Sequence, residues 1–256
     1  MKVIDCFPFY DEFLILDIRF RELYDIVDRF VIVESSETFS GIKKPLYLSE
    51  CIKERYSQYA DKIDIIIAPS MNYWDAWHRE YFQKNHICRD NLKYLNLEDN
   101  DLILFSDADE IPKRSVIQNM KENGYNLNGG NLGGPTFYYK LNVLTTELSY
   151  RPKYMSYKNF TNHTSQRYMD QEIIPNAGWH FSYLKTPEKI QEKIKAFSHQ
   201  EFNNDRINNI QNIKEKIDSV SDLFGRNEVL LSVVEIDDSF PEYIKENREL
   251  LKEWIA

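Results

Sequence analysis

Leu102-Ile-Leu-Phe-Ser-Asp-Ala-Asp-Glu-Ile-Pro112 sets four apolar residues in a row ahead of three carboxylates. So short an apolar run, with acidic residues on both sides, reads as a strand buried on both faces. Asp107, Asp109 and Glu110 then fall just past its carboxyl end, where open α/β sheets bind ligands. Carboxylates this close repel one another, and a divalent cation relieves the repulsion. The stretch therefore reads as a metal clamp for a diphosphate, with Asp107 and Asp109 as ligands. The triplet alone is a weak signal. Asp99-Asn100-Asp101 has the same form at the wrong end of the strand and is discounted.

Upstream, Val3–Cys6, Arg29–Glu34 and Ile63–Ala68 are apolar runs, the latter two rich in β-branched residues, and predict three more strands. Apolar residues three or four apart predict a helix from Asp11 to Val27. Further helices are expected over Ser49–Ala60 and the long stretch Tyr73–Leu97. Strands alternating with helices imply right-handed βαβ units and a largely parallel sheet. A helix over Pro112–Asn123 would close this half. Five glycines between Gly124 and Gly134 then signal turns, and Thr136–Lys158 reads as antiparallel strands. Thr186-Pro187-Glu188 starts a helix, and Pro241–Trp254 reads as an amphipathic one. The expected fold class is α/β: a mostly parallel Rossmann-like sheet flanked by helices, with a smaller antiparallel part in the C-terminal half. One domain over residues 1–256 is the economical reading.

A net charge of −9 argues against nucleic acid as the main partner, since phosphate backbones need a basic surface. At 42% hydrophobic and 14% aromatic the chain is too rich in core formers for disorder. No apolar run approaches the ~18 residues of a membrane span, and Asp5 comes too early for a signal peptide. Cys6, Cys51 and Cys88 are odd in number and lack a Cys-x-x-Cys pair, which suits free thiols rather than zinc. A cytoplasmic location is expected, peripheral to a membrane only through the acceptor.

Six segments, in order, then carry a resemblance. They are Phe-Pro-Phe-Tyr-Asp-Glu (7–12), Glu-Leu-Tyr-Asp-Ile-Val-Asp-Arg-Phe-Val-Ile-Val-Glu-Ser (22–35), Thr-Phe-Ser-Gly-Ile-Lys-Lys-Pro-Leu (38–46), Ser-Asp-Ala-Asp-Glu-Ile-Pro (106–112), Gly-Trp-His-Phe-Ser-Tyr (178–183) and Lys-Ile-Lys-Ala-Phe-Ser-His-Gln-Glu (193–201). Together they resemble glycosyltransferase family 17, which includes the bisecting β-1,4-mannosyl-glycoprotein N-acetylglucosaminyltransferases. The resemblance implies a GT-A-like fold, with residues 1–125 binding a nucleotide sugar and 126–256 an acceptor glycan. It also implies a UDP-sugar donor (UDP-N-acetylglucosamine above others), Mn²⁺ or Mg²⁺, and inversion to a β-linkage.

Under that resemblance Asp109 ligates the metal, Asp107 supports it or touches the ribose, and His180 or His199 is the later ligand. Glu172 and Asp170 are candidates for the general base that takes the acceptor hydroxyl's proton. Glu34 would accept from uracil or ribose hydroxyls, and Lys44 would meet a phosphate. Gln83, Lys84, Asn85 and Arg89 on the preceding helix would face the donor. Gly134 would let backbone approach the donor sugar. Trp74, Trp77, Tyr138, Tyr139 and Tyr157 are candidate stacking surfaces. Two other readings stand beside this one: a haloacid-dehalogenase-like phosphatase, and a catalytically inactive sugar- or nucleotide-binding module.

Overall fold

A computed structural model describes residues 1–70 and 75–256. β1 (Val3–Pro8), β2 (Arg29–Ser35), β3 (Ile63–Ala68) and β4 (Leu102–Phe105) lie parallel in the order β4-β1-β2-β3. Successive residues along them enter two different cores. Val3, Phe7, Phe30, Ile32, Leu102 and Leu104 pack on one side, and Ile4, Cys6, Val31, Val33, Ile103 and Phe105 on the other. That two-sided burial is why β1, β2 and β4 are largely apolar, whereas β3, at the sheet edge, is only half buried.

The acidic loop leaves this sheet for a second one. β5 (Glu110–Pro112) follows it at once, and is succeeded by β6 (Gly130–Leu132), β7 (Gly134–Tyr138), β8 (Val143–Ser149), β9 (Lys153–Ser156), β10 (Ile173–Ile174), β11 (Gly178–Ser182) and β12 (Leu231–Val233). The main sheet reads β10-β6-β9-β4-β1-β2-β3, with β9 antiparallel to β4. The second reads β12-β8-β7-β11-β5. The expected α/β architecture, mostly parallel with an antiparallel part toward the C-terminus, is borne out.

The helices are α1 (Phe13–Leu23), α2 (Tyr47–Arg55), α3 (Ala76–Lys84), α4 (Arg114–Asn123), α5 (His163–Arg167), α6 (Pro187–Ala196), α7 (Ile210–Asp218) and α8 (Glu242–Glu246). Five expected helices come out shorter. α1 occupies Phe13–Leu23 of the expected 11–27, and α2 ends at Arg55, with a 3₁₀ segment taking over at Ser57. The stretch expected over Tyr73–Leu97 is α3 and a later 3₁₀ turn, its first two residues lying outside the described ones. Tertiary pairing interrupts it: Arg89 N–H donates to Thr161 O and His163 N–H to Ile87 O. The expected helix over Pro241–Trp254 stops at Glu246 and resumes only as a 3₁₀ turn. The start expected at Pro112 is instead β5, because Glu110–Pro112 pairs with Gly178–His180 of β11.

Gly134 is needed for packing rather than for a ligand. A Cβ there would stand 1.9 Å from Gly178 O of the neighbouring strand. The close backbone approach it permits is to β11, and Gly134 is not among the residues that line the cavity described below.

Candidate active site

The loop after β4 is shaped by a single buried side chain. Arg19, on α1 and fully buried, places its guanidinium over the Phe7 ring and pairs with Asp5 through two bonds of 2.7 and 2.6 Å. Its remaining N–H groups reach Ser106 Oγ at 2.8 Å and the carbonyls of Asp107, Ala108 and Glu110 at 3.1, 3.1 and 2.8 Å. Arg carries five donors in a rigid fork, and here all are engaged. Ala108 O gains its donor this way, while Asp107 O also accepts the Glu110 N–H and Glu110 O the Ser106 hydroxyl, so the guanidinium ties the turn together.

The carboxylates this loop presents differ sharply. Asp107 is bound by Lys84 at 2.7 Å and Arg167 at 2.7 Å. Burial opposes its charge, but those two cations outweigh burial and hold its carboxyl well below the usual range. Glu110 faces Arg167 at 2.9 and 3.0 Å and accepts the Asp107 N–H. Asp109 looks the other way, 3.1 Å from Lys193 and 3.7 Å from His180 Nε2. It too is lowered: burial opposes, and Lys193 and His180 prevail.

All of these groups line one cavity of about 390 Å³. Tyr10, Glu12 and Lys44 form one flank. Trp77, Glu80, Gln83 and Lys84 of α3 form another, and His180, Lys193 and His199 close it. His199 Nδ1 lies 2.7 Å from Glu201 Oε1, and its ring stands edge-on to Trp77 at 4.5 Å.

The family model for glycosyltransferase family 17 matches residues 1–236. The chain belongs to that family. The β-1,4-mannosyl-glycoprotein 4-β-N-acetylglucosaminyltransferases of Rattus norvegicus and Homo sapiens are both 26% identical to it over 234 residues, 78% of this chain. The match takes in 44% of each relative, so the chain spans less than half their length. Among solved structures, an inositol-1-phosphate CTP transferase from T. maritima overlaps at TM-score 0.32 and 10% identity, covering 100% of this chain and 97% of that one. Galactosyltransferase LgtC overlaps at 0.29 and 11%, with the same coverage. Overlap of that degree is too loose to assign a fold.

Of the residues the sequence singled out, Asp107, Asp109, His180, His199, Lys44, Gln83, Lys84 and Trp77 meet in this cavity. Others do not. Glu34 is fully buried and accepts from Leu48 N–H, Ser49 N–H and Ser49 Oγ, so it caps the first turn of α2 from outside. Asn85 accepts from Thr164 N–H, and Arg89 lies over Tyr157 with a bond to Lys158 O. Asp170 and Glu172 are exposed on the segment before β10, away from the cavity lining. Tyr138 and Tyr139 pack in the core beneath α6 and α7, and Trp74 lies outside the described residues.

Sequence reasoning missed Arg19, Arg167, Lys193 and the Glu201 partner of His199. Arg19 had a readable signal, a charge among the apolar residues of an otherwise buried helix face. Arg167 had none, since its role depends on α5 folding back over β4.

A carboxylate and an imidazole meet at one corner of the cavity. Asp109 and His180 offer a carboxylate oxygen and an imidazole nitrogen to the same space, which fits a divalent metal with open positions. Asp107 is already paired: Oδ2 accepts from Arg167, and Oδ1 lies 2.7 Å from Lys84 but, though buried, makes no hydrogen bond to the described residues. Among the described residues no three His, Cys, Asp or Glu side chains converge as a ready-made cation site, so a diphosphate would have to complete the shell. No helix among them is long and apolar enough to cross a membrane.

Proposed function

We propose that this chain transfers a sugar from a nucleoside-diphosphate donor to an acceptor hydroxyl, with inversion. The observation that carries the reading is the acidic loop on the floor of the cavity, held by Arg19 and flanked by cations. The relatives' names favour N-acetylglucosamine from UDP-N-acetylglucosamine as the transferred sugar, and a GT-A-like division of labour follows. The nucleoside would lie over the ends of β1 and β2, beside Tyr10 and Lys44. A Mn²⁺ or Mg²⁺ ion held by Asp109 and His180 would supply Lewis acidity to the departing diphosphate. Lys84, Arg167 and Lys193 add fixed positive charge near the charge that develops.

The proton of the acceptor hydroxyl needs a base within hydrogen-bond reach. The cavity carboxylates are engaged: Glu80 with Lys84, Glu110 with Arg167, Asp109 with Lys193, Glu37 with Lys43, and Glu12 with the N–H groups of Tyr10 and Asp11. His199 differs. With Nδ1–H donating to Glu201, its Nε2 is left as an acceptor at the cavity rim. His199 therefore replaces Glu172 and Asp170 as the proposed base.

Membership in a glycosyltransferase family removes the phosphatase reading. A thermal-shift panel of nucleotide sugars, each with and without Mn²⁺, separates an enzyme from an inert binding module. A donor at one hundred times its Kd adds about 2.7 kcal/mol of stability. Manganese-dependent stabilisation by a UDP-sugar, lost in Asp109→Asn, is expected, together with slow release of free sugar. His199→Gln should retain that shift and lower kcat at least ~100-fold. Equal shifts in wild type and Asp109→Asn would remove the metal corner from the mechanism.

A further inference from the structure

Beside the acidic loop, and apart from the Asp109–Lys193 pair, four cations stand near three carboxylates. Lys84 is engaged with Glu80 and Asp107, and Arg167 with Asp107 and Glu110. Arg151 and Lys153 are left over: among the described residues neither has a carboxylate within ion-pairing distance. Lys153 is buried and donates only to Met169 O and Gln171 Oε1. Arg151 lines the cavity, gives one bond to Tyr150 O at 3.2 Å, and keeps a buried Nε with no partner at all. A guanidinium partly withdrawn from water, beside a second guanidinium and with an unmade bond, is costly unless an anion arrives.

Position says whose anion. β9 runs antiparallel to β4 with Lys153 opposite Phe105, so Arg151 and Lys153 stand at the same end of the sheet as the acidic loop. They stand on the far side of β4 from β1 and β2, where the nucleoside is placed. Tyr168, 60% exposed, lines the cavity on this side. We propose that Arg151, backed by Lys153, forms an anion-binding subsite that receives a phosphate group carried by the acceptor. A planar guanidinium matches two phosphate oxygens at once, and Tyr168 offers a face to the sugar ring beside it. The inference rests on the transferase reading of the cavity and adds a substrate class to it.

The test is calorimetric titration of UDP-saturated protein, with Mn²⁺ present, by mannose 1-phosphate and by mannose. Occupying the donor site first confines the probe to the acceptor side. The phosphorylated sugar should bind at least tenfold more tightly than mannose. Arg151→Gln should abolish that difference while leaving UDP affinity unchanged, and Arg151→Lys should restore part of it. Equal binding of the two sugars would overturn the proposal. So would a loss of UDP affinity in Arg151→Gln, which would assign the guanidinium to the donor diphosphate. If UDP gives no heat, the transferase reading fails separately. Inorganic phosphate titrated alone into wild type and Arg151→Gln then decides the subsite: tighter binding to wild type supports it and equal binding overturns it.

Discussion

Arg19 and Asp5 show how one residue pair can serve stability and function by different routes. Arg19→Met alone strands a buried carboxylate and should cost about 3–5 kcal/mol in urea unfolding. Combining it with Asp5→Leu removes the stranded charge and should recover a substantial share of that loss. Nucleotide affinity should not recover, because the guanidinium that ties the carbonyls of Asp107, Ala108 and Glu110 together is still missing. A double variant that binds UDP like wild type would show that the loop holds its path unaided. His163 makes a prediction of another kind. It is fully buried, with Nε2 3.3 Å from Ser106 O and Nδ1 without a partner. Burial above all, then Lys84 and Arg167, hold its pKa well below the ordinary 6.5. Below pH 6.5 the unfolded chain therefore binds a proton that the folded chain refuses. Stability should fall as pH drops from 6.5 toward 5, by up to about 1.4 kcal/mol per pH unit from this group. Urea midpoints across that range should lose this component of the slope in His163→Gln.

Among the elements, the crossing of β7 and β11 is the least forgiving. Gly134→Ala drives a methyl into Gly178 O, a backbone atom of a paired strand that cannot step aside, and should cost upwards of about 3 kcal/mol. Gly124, just past α4, has φ +82° and ψ 174° with nothing within 4 Å of a new Cβ, so Gly124→Ala should cost about 1–3 kcal/mol of backbone strain with no clash. Differential scanning calorimetry of the two variants would separate steric from conformational demand. Comparable losses would mean that β7 and β11 can spread apart. The same crossing brings His180 to Asp109, since β11 pairs with β7 on one edge and β5 on the other.

For the molecule as a whole, the legible part of the fold was the part made of local signals. β3 was read to the residue from its isoleucines, although it is a half-exposed edge strand, and β1, β2 and β4 nearly so, because strands buried on both faces are almost wholly apolar. α6 was read from Thr186, whose side chain caps it, and Pro187. The breaks after Lys84 and Glu246 were not legible, since pairing with distant segments or loop geometry decides them. At the site, Asp107 and Asp109 stood out by placement after a strand, whereas the cations that divide their roles come from α3, α5 and α6 and converge only in three dimensions. Asp170 and Glu172 misled for the same reason: position along the chain said nothing about which way their loop faces.

The hold of Arg19 on the acidic loop has one more consequence. Apart from Ser106 Oγ, its grip there is on main-chain oxygens, which are identical whatever side chains the loop carries. The track and the cargo are thus separable. Asp107 and Glu110 stay tied to the track, since Glu110 accepts the Asp107 N–H and the two neutralise Lys84 and Arg167, so Asp109 is the position at which the cargo can be rewritten for a different leaving group or cation.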